Sequence, residues 1–103
     1  PEGMQPFHLG ENSLVCNGCT VLGEVRNSIL STEAYVGPGA KVEDAILLPG
    51  ARVESGARVM RAIVGERAVI ETNAYFGSQD KEQPIVVVGD NEHVADDLWS
   101  GRY

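Results

Sequence analysis

The stretch from Gly39 to Ile70, GAKVEDAILLPGARVESGARVMRAIVGERAVI, repeats one short phrase: an alanine, any residue, then Val, Leu or Ile. Read outward, the phrase continues on both sides. Ser28-Ile29-Leu30 and Ala34-Tyr35-Val36 precede the stretch, and Ala74-Tyr75-Phe76 follows it. Eight of the nine alanines in the chain lie on this lattice, and only Ala95 lies off it. From Leu30 to Phe76 the third residues are separated by 6, 6, 5, 6, 6, 5, 6 and 6 positions. Leu30, Leu47 and Val64 therefore form one series, Val36, Val53 and Ile70 a second, and Val42, Val59 and Phe76 a third. The unit that repeats is 17 residues long and has three parts.

A helix returns side chains to one face every 3.6 residues, and a hairpin strand alternates over a longer run than three. Neither matches. In an extended triplet the first and third side chains share one side and the middle one points the other way, so each triplet turns a small and a branched apolar residue inward. The intervening residues suit turns: Gly37-Pro38-Gly39, Leu48-Pro49-Gly50, Glu54-Ser55-Gly56 and Gly65-Glu66-Arg67. Glycine reaches positive φ there and proline fixes its own. Three strands and three turns close a triangular coil. Stacked coils place residue i over residue i+17, pair the strands in parallel and align like side chains in columns. The alanines are small because the corners of a narrow bore leave little room. The spacing predicts an all-β, single-stranded parallel β-helix of hexapeptide repeats, about 17 residues per coil, in preference to a small sandwich. Its short turns resemble those of the left-handed form; spacing alone does not choose the hand.

Along the chain, residues 1–12 read as an irregular linker and 13–94 as the β-helix domain. Val15, Val21 and Val25 continue the lattice backwards, with Ser13 and Cys19 in the small positions, but the step from Val21 to Val25 is only four. A polar loop at 77–84 interrupts the count, which Val88 and Val94 resume. Residues 95–103 form a tail off the lattice, in which Trp99 and Tyr103 are candidates to cover the open end, where an exposed strand edge invites pairing.

At 103 residues the chain is one domain, and its 43% hydrophobic content with few aromatics suits a bore of small aliphatics. A net charge of -7 argues against nucleic acid and against an anionic membrane as partner. There is neither a long apolar run nor a recognisable signal peptide, which reads as cytoplasmic. The start at Pro1, and the opening PEGMQPFH, resemble a linker within something larger.

The middle residues of the triplets face out, and the three outer faces differ. One presents Tyr35, Arg52 and Val69, and another Lys41, Arg58 and Tyr75. The third presents Ile29, Ile46 and Ile63 in register, an aliphatic stripe with strands about 4.8 Å apart. Two readings stand: β-propensity alone, or a face covered by another domain or subunit.

Chemistry-bearing groups are few. His8 and His93 both lie outside the clean coils. Acyltransferases of this repeat class need a histidine at a coil turn as general base, and its carbonic anhydrases need three on zinc. Cys16-Asn17-Gly18-Cys19 has the spacing of half a zinc site or a redox pair, yet Cys19 occupies a small inward position and also reads as a compact hydrophobe. There is no phosphate-cradling loop before a helix and no nucleophile elbow. No catalytic or metal-ligating residue is assigned.

NSLVCNGCTVLGEVRNSIL, Asn12 to Leu30, followed by VGPGAKVEDAILLPGARVESGARVMRAIVGERAVI and a short IVVVGD strand, resembles the carboxy-terminal β-helix domain of bacterial glucose-1-phosphate adenylyltransferases. The resemblance covers about Asn12 to Val94, and the short four-residue step is its most specific part. It implies a left-handed helix and an amino-terminal nucleotidyltransferase domain, which makes ADP-glucose and pyrophosphate from ATP and glucose 1-phosphate with Mg2+, for glycogen synthesis. It also implies a homo-oligomer, a tetramer in the family, with this domain serving assembly and allosteric control while being inactive alone. Effector pockets in the family recruit basic residues near the last coil. The matching segment, Ser78 to Gln83, offers Lys81, and Gly89-Asp90 stands where other members place a cation. The tail of a related sugar-phosphate nucleotidyltransferase, or a free-standing scaffold module, remains the alternative.

Overall fold

The computed structural model describes residues 12–95 and the strand Leu98–Trp99. Among the described residues fifteen short strands, numbered along the chain, form three five-stranded parallel sheets. The first face contains β1 (Leu14–Val15), β4 (Ile29–Leu30), β7 (Ile46–Leu47), β10 (Ala62–Val64) and β13 (Val86–Val88). The second contains β2 (Thr20–Val21), β5 (Tyr35–Val36), β8 (Arg52–Val53), β11 (Val69–Ile70) and β14 (His93–Val94). The third contains β3 (Glu24–Arg26), β6 (Lys41–Glu43), β9 (Arg58–Met60), β12 (Tyr75–Gly77) and β15 (Leu98–Trp99). Consecutive strands always lie on different faces, so the chain winds as a prism. Through the clean coils the register is the expected i to i+17, as in Val36 on Val53 and Val53 on Ile70.

The inward residues form the core without exception in those coils. Leu30, Val36, Val42, Leu47, Val53, Val59 and Val64 are fully buried, and the eight lattice alanines are 0–3% exposed. Burial of each branched side chain contributes about 1.5–3 kcal/mol. The alanines carry a second constraint that the spacing does not reveal. At two corners of each coil the alanine N–H closes the turn, as in Ala51 to the carbonyl of Leu48 at 3.0 Å and Ala57 to Glu54 at 3.1 Å. Its Cβ enters the bore where the chain has just changed direction, and a larger side chain would meet the adjoining face. Turns also stack on turns: Gly50 N–H donates to Thr32 O and Arg67 N–H to Pro49 O, at 2.9 and 3.0 Å.

Three departures from the ideal coil position the surface features. The corner at Leu22-Gly23 is short, so the first coil pairs with the second at i to i+15, as in Leu14 on Ile29 and Thr20 on Tyr35. Gly23 runs so close beneath the next turn that a Cβ there would strike the carbonyls of Ala40 and Gly37. The missing residues leave a shallow notch of about 210 Å3 lined by Leu22, Gly23, Glu24, Gly39, Ala40 and Lys41. The second departure is the polar loop, which lengthens the last coil so that Ile63 lies on Val87 and Val69 on His93, 24 positions apart. The loop departs at Gly77, whose φ is +105° and whose absent Cβ would collide with the carbonyl of Met60. The third is at the carboxy-terminal end. The lattice read from sequence ends at Val94, but Leu98–Trp99 adds a further strand, pairing Leu98 with Phe76 and Trp99 with Gly77. The expected cover by the side chains of Trp99 and Tyr103 lies outside the described residues, as does most of the 1–12 segment.

Candidate functional site

The three isoleucines of the sequence stripe are neighbours on the first face, and the ladder extends beyond them. Leu14 lies beside Ile29, Ile29 beside Ile46, Ile46 beside Ile63, and Ile63 beside Val87. Every coil therefore contributes one outward aliphatic residue. At the ends Leu14 is 60% and Val87 65% exposed, and Ile29 is 41% exposed. Ile46 and Ile63, flanked on both sides, are half-buried. Ile85, just before β13, adds a further exposed apolar side chain. Parallel sheets normally have both faces covered. Here one face packs the bore and the other presents an unbroken aliphatic row. Leu14 and Val87 escape a reading that looks for i+17 partners, because the short corner and the polar loop change the offset at those two steps. The available signal was their place directly before the inward Val15 and Val88.

The other faces are built from the same triplets and carry a different surface. On the second, the Arg52 guanidinium stacks over the Tyr35 ring at 4.2 Å and bonds Glu54 at 2.7 Å. The Glu54 hydrogen bond pushes the Arg52 pKa up, so the cation stays charged over the ring. On the third, Arg58 lies over Tyr75 at 5.3 Å, and Arg26 faces Glu43 at 3.7 Å.

The tight corner leading into the aliphatic face is a column of positive-φ residues: Asn12, Asn27, Asp44 and Arg61. Asn12 Nδ2 donates to Asn27 Oδ1, and Asn27 Nδ2 to Asp44 Oδ1, each at 3.2 Å. Arg61 ends the column and holds the polar loop, donating through Nη2 to the carbonyls of Lys81 at 3.1 Å and Gln83 at 2.7 Å. Inside the loop, Asp80 N–H donates to Ser78 Oγ and Glu82 N–H to Asp80 Oδ1. Lys81 is exposed on this loop, between Asp80 and Glu82. The guanidinium nearest to it in the fold is directed at main-chain carbonyls, a role for Arg61 that its position in a turn gave no means of reading. Asp90, which stands where the resemblance implies a cation in other members, accepts the Glu66 N–H at 2.8 Å.

The remaining candidates lie apart. His93 Nδ1 is 2.7 Å from Glu71 Oε2 on the second face; His8 lies outside the described residues. Cys16 and Cys19 are reduced and partly accessible, and Cys19 packs against the core while its thiol donates to Ser31 O at 3.0 Å. Burial pushes the Cys19 pKa up. Among the described residues no group of three His, Cys, Asp or Glu side chains converges to hold a metal. No helix among them is long and apolar enough to cross a membrane.

Comparison with known proteins places this geometry in a family context. The family model described as GlmU-like, C-terminal hexapeptide matches residues 7–91. A glucose-1-phosphate adenylyltransferase of Desulfitobacterium hafniense (strain DSM 10664 / DCB-2) is 39% identical over 102 residues, which cover 90% of this chain and 26% of that protein. The enzymes of the same name from Bacillus cytotoxicus and Bacillus thuringiensis (strain Al Hakam) are 35% and 30% identical, over 78% and 80% of this chain and 21% and 22% of their own lengths. The chain thus spans about a quarter of the length of the relatives it matches. No solved structure matches it.

Proposed function

The chain belongs to the GlmU-like C-terminal hexapeptide family, and from that premise we propose that it is the assembly and regulatory domain of a glucose-1-phosphate adenylyltransferase. The parent enzyme would convert ATP and glucose 1-phosphate to ADP-glucose and pyrophosphate for glycogen synthesis, using Mg2+ held by its nucleotidyltransferase domain. The observation that carries the reading is the aliphatic ladder on the first face, Leu14, Ile29, Ile46, Ile63 and Val87. It needs a cover, and the relatives' additional length supplies one.

The size of the ladder favours a tethered cover. A stable interface between separate chains buries about 800 Å2 on each side. One row of side chains about five strands tall, at about 4.8 Å per strand, falls well short of that. A domain on the same chain docks at high effective concentration and tolerates a smaller contact. The amino-terminal nucleotidyltransferase domain is therefore the occupant of the first face. Subunit assembly, to the homo-oligomer typical of the resemblance, then builds on the docked pair, in the cytoplasm. Lys81 on the adjoining loop is the group through which an anionic effector is sensed.

Activity assays test this reading. The 103-residue chain alone is expected to form no ADP-glucose and to transfer no acetyl group from acetyl-CoA, whereas the parent enzyme turns over and its Lys81→Ala variant shows an altered effector response at unchanged basal rate. Turnover by the isolated chain, or a parent that makes no sugar nucleotide, overturns the proposal.

A further inference from the structure

The first corner of the first coil carries two thiols for which docking and regulation have no use. Cys16 and Cys19 are the first and fourth residues of a turn whose third residue, Gly18, has φ +78°. The first and fourth Cα atoms of such a turn lie less than about 7 Å apart, and a disulfide spans about 4.4–6.8 Å between Cα atoms. Cys19 takes the place that Ala34, Ala51 and Ala68 hold in later coils. Its sulfur is larger than their methyl and stays only partly buried, 3.0 Å from Ser31 O and 3.8 Å from Leu30 O.

The backbone of the turn is fixed where it meets the next coil. Cys16 N–H donates to Leu30 O at 2.9 Å and Glu33 N–H to Asn17 O at 3.0 Å. On its other side β1 is the terminal strand of its sheet among the described residues.

We propose that Cys16 and Cys19 form a reversible dithiol–disulfide pair that exchanges with small-molecule disulfides such as glutathione disulfide. Cys16 begins the exchange, because the proton of Cys19 is held by the Ser31 carbonyl. The Cys16 thiolate attacks one sulfur of glutathione disulfide, the S–S bond of the reagent breaks, and one glutathione thiolate leaves. Cys19, deprotonated, then attacks the Cys16 sulfur of the mixed disulfide and expels the second glutathione. The two protein thiol protons end on the two glutathione thiols, and the reagent's disulfide takes the two electrons. Burial favours the neutral Cys19 thiol, so the second step quickens as pH rises. Closing the bond withdraws the Cys19 sulfur from Ser31 O and cross-links the corner at the end of the prism where the preceding chain enters. This pair is independent of the aliphatic ladder, so its test does not rest on the proposed docking.

The test is a titration of the protein in glutathione buffers of graded redox poise, quenched with acid and read by intact mass and peptide mapping. The expected product is a monomer lighter by about 2 Da, with a Cys16–Cys19 cross-link that dithiothreitol reverses. Cys16→Ser is expected to give at most one glutathione adduct and no cross-link. The cross-link should form at least about tenfold more readily, as an effective concentration against glutathione, in the folded protein than in the urea-unfolded chain. Stable glutathione adducts on the wild type without loss of two hydrogens, a disulfide between chains, no reaction in fully oxidised buffer, or equal propensity folded and unfolded would each overturn the proposal.

Discussion

The first and second faces of the prism share backbone, register and the small-then-branched pattern of inward residues, and differ most in character at the middle position of each triplet. On the first that position holds Leu14, Ile29, Ile46, Ile63 and Val87; on the second it holds Thr20, Tyr35, Arg52, Val69 and His93. The second face supplies its own partners, with Arg52 placed between Tyr35 and Glu54 and His93 against Glu71. The first has none to supply. A β-helix thus separates two kinds of information along each strand: inward positions fix the fold, and middle positions fix what the fold meets.

The largest expected effect breaks the premise common to both faces. Val53 is fully buried, with Val36 on one side and Ile70 on the other. Val53→Asp would place an unpaired carboxylate among apolar side chains and is expected to cost several kcal/mol. For a domain of this size that is most or all of the folding free energy. Loss of the cooperative transition in a circular-dichroism melt is the predicted result; a melt like that of the parent would mean that the inward assignment is wrong.

The inward columns were legible in sequence because they obey one constraint repeated without interruption, small at the corner and branched on the strand, and eight alanines report it. Features that interrupt the repeat were harder to read. The short corner at Leu22-Gly23 was visible as a four-residue step, but the i to i+15 pairing it enforces was not, so Leu14 was missed. The polar loop was visible in its composition, yet the loop conceals that Val87 returns to the ladder and that Arg61 is its anchor. Sequence also expects glycine where φ is positive, whereas the structure places Glu33, Arg67, Asn73 and Asn91 there as well. Their turns are held by the coils above and below, and tertiary hydrogen bonds, such as Glu33 N–H to Asn17 O at 3.0 Å, override the local preference. Lys81 could be named from its charge alone; whether other cations surround it depends on loop geometry, and Arg61 proves to be directed at the loop's carbonyls.

A middle-sized effect separates the two faces directly. Ile46→Lys and Val69→Lys each exchange an outward aliphatic residue for a charge on adjacent faces of the same prism. Both sites are half-buried in the prism and sit on strands with neighbours on either side. Each substitution is expected to change stability of the chain by about 1 kcal/mol or less, since the long side chain can carry its ammonium into water. In the proposed parent enzyme the two should diverge. Ile46→Lys is expected to weaken docking of the nucleotidyltransferase domain at least about tenfold, equivalent to about 1.4 kcal/mol, and to shift the assembly state seen by light scattering. Val69→Lys should leave assembly unchanged. Equal behaviour of the two variants would reduce the aliphatic ladder to strand propensity.

The smallest expected effect sharpens the comparison at the corners that border the first face. Glu33, on the side shared with the second face, has φ +62°, and Asn27, on the side shared with the third, has φ +48°. Both hold a left-handed conformation that costs an L-residue about 1–2 kcal/mol, but only Asn27 has a compensating side-chain role. It accepts from Asn12 Nδ2 and donates to Asp44 Oδ1, each at 3.2 Å. Glycine relieves the strain at either site and increases unfolded-state freedom by about 0.4–1 kcal/mol. At Glu33 the balance is favourable, so Glu33→Gly should raise stability by about 0.5 kcal/mol, or about 2–4 °C in Tm. At Asn27 the same change also removes two exposed hydrogen bonds worth several tenths of a kcal/mol each, so Asn27→Gly should be neutral or destabilising. Paired thermal melts decide it. Stabilisation of both variants to the same degree would show that the Asn12-Asn27-Asp44 column contributes nothing to the corner, leaving Arg61 alone to distinguish the corner from which the polar loop projects.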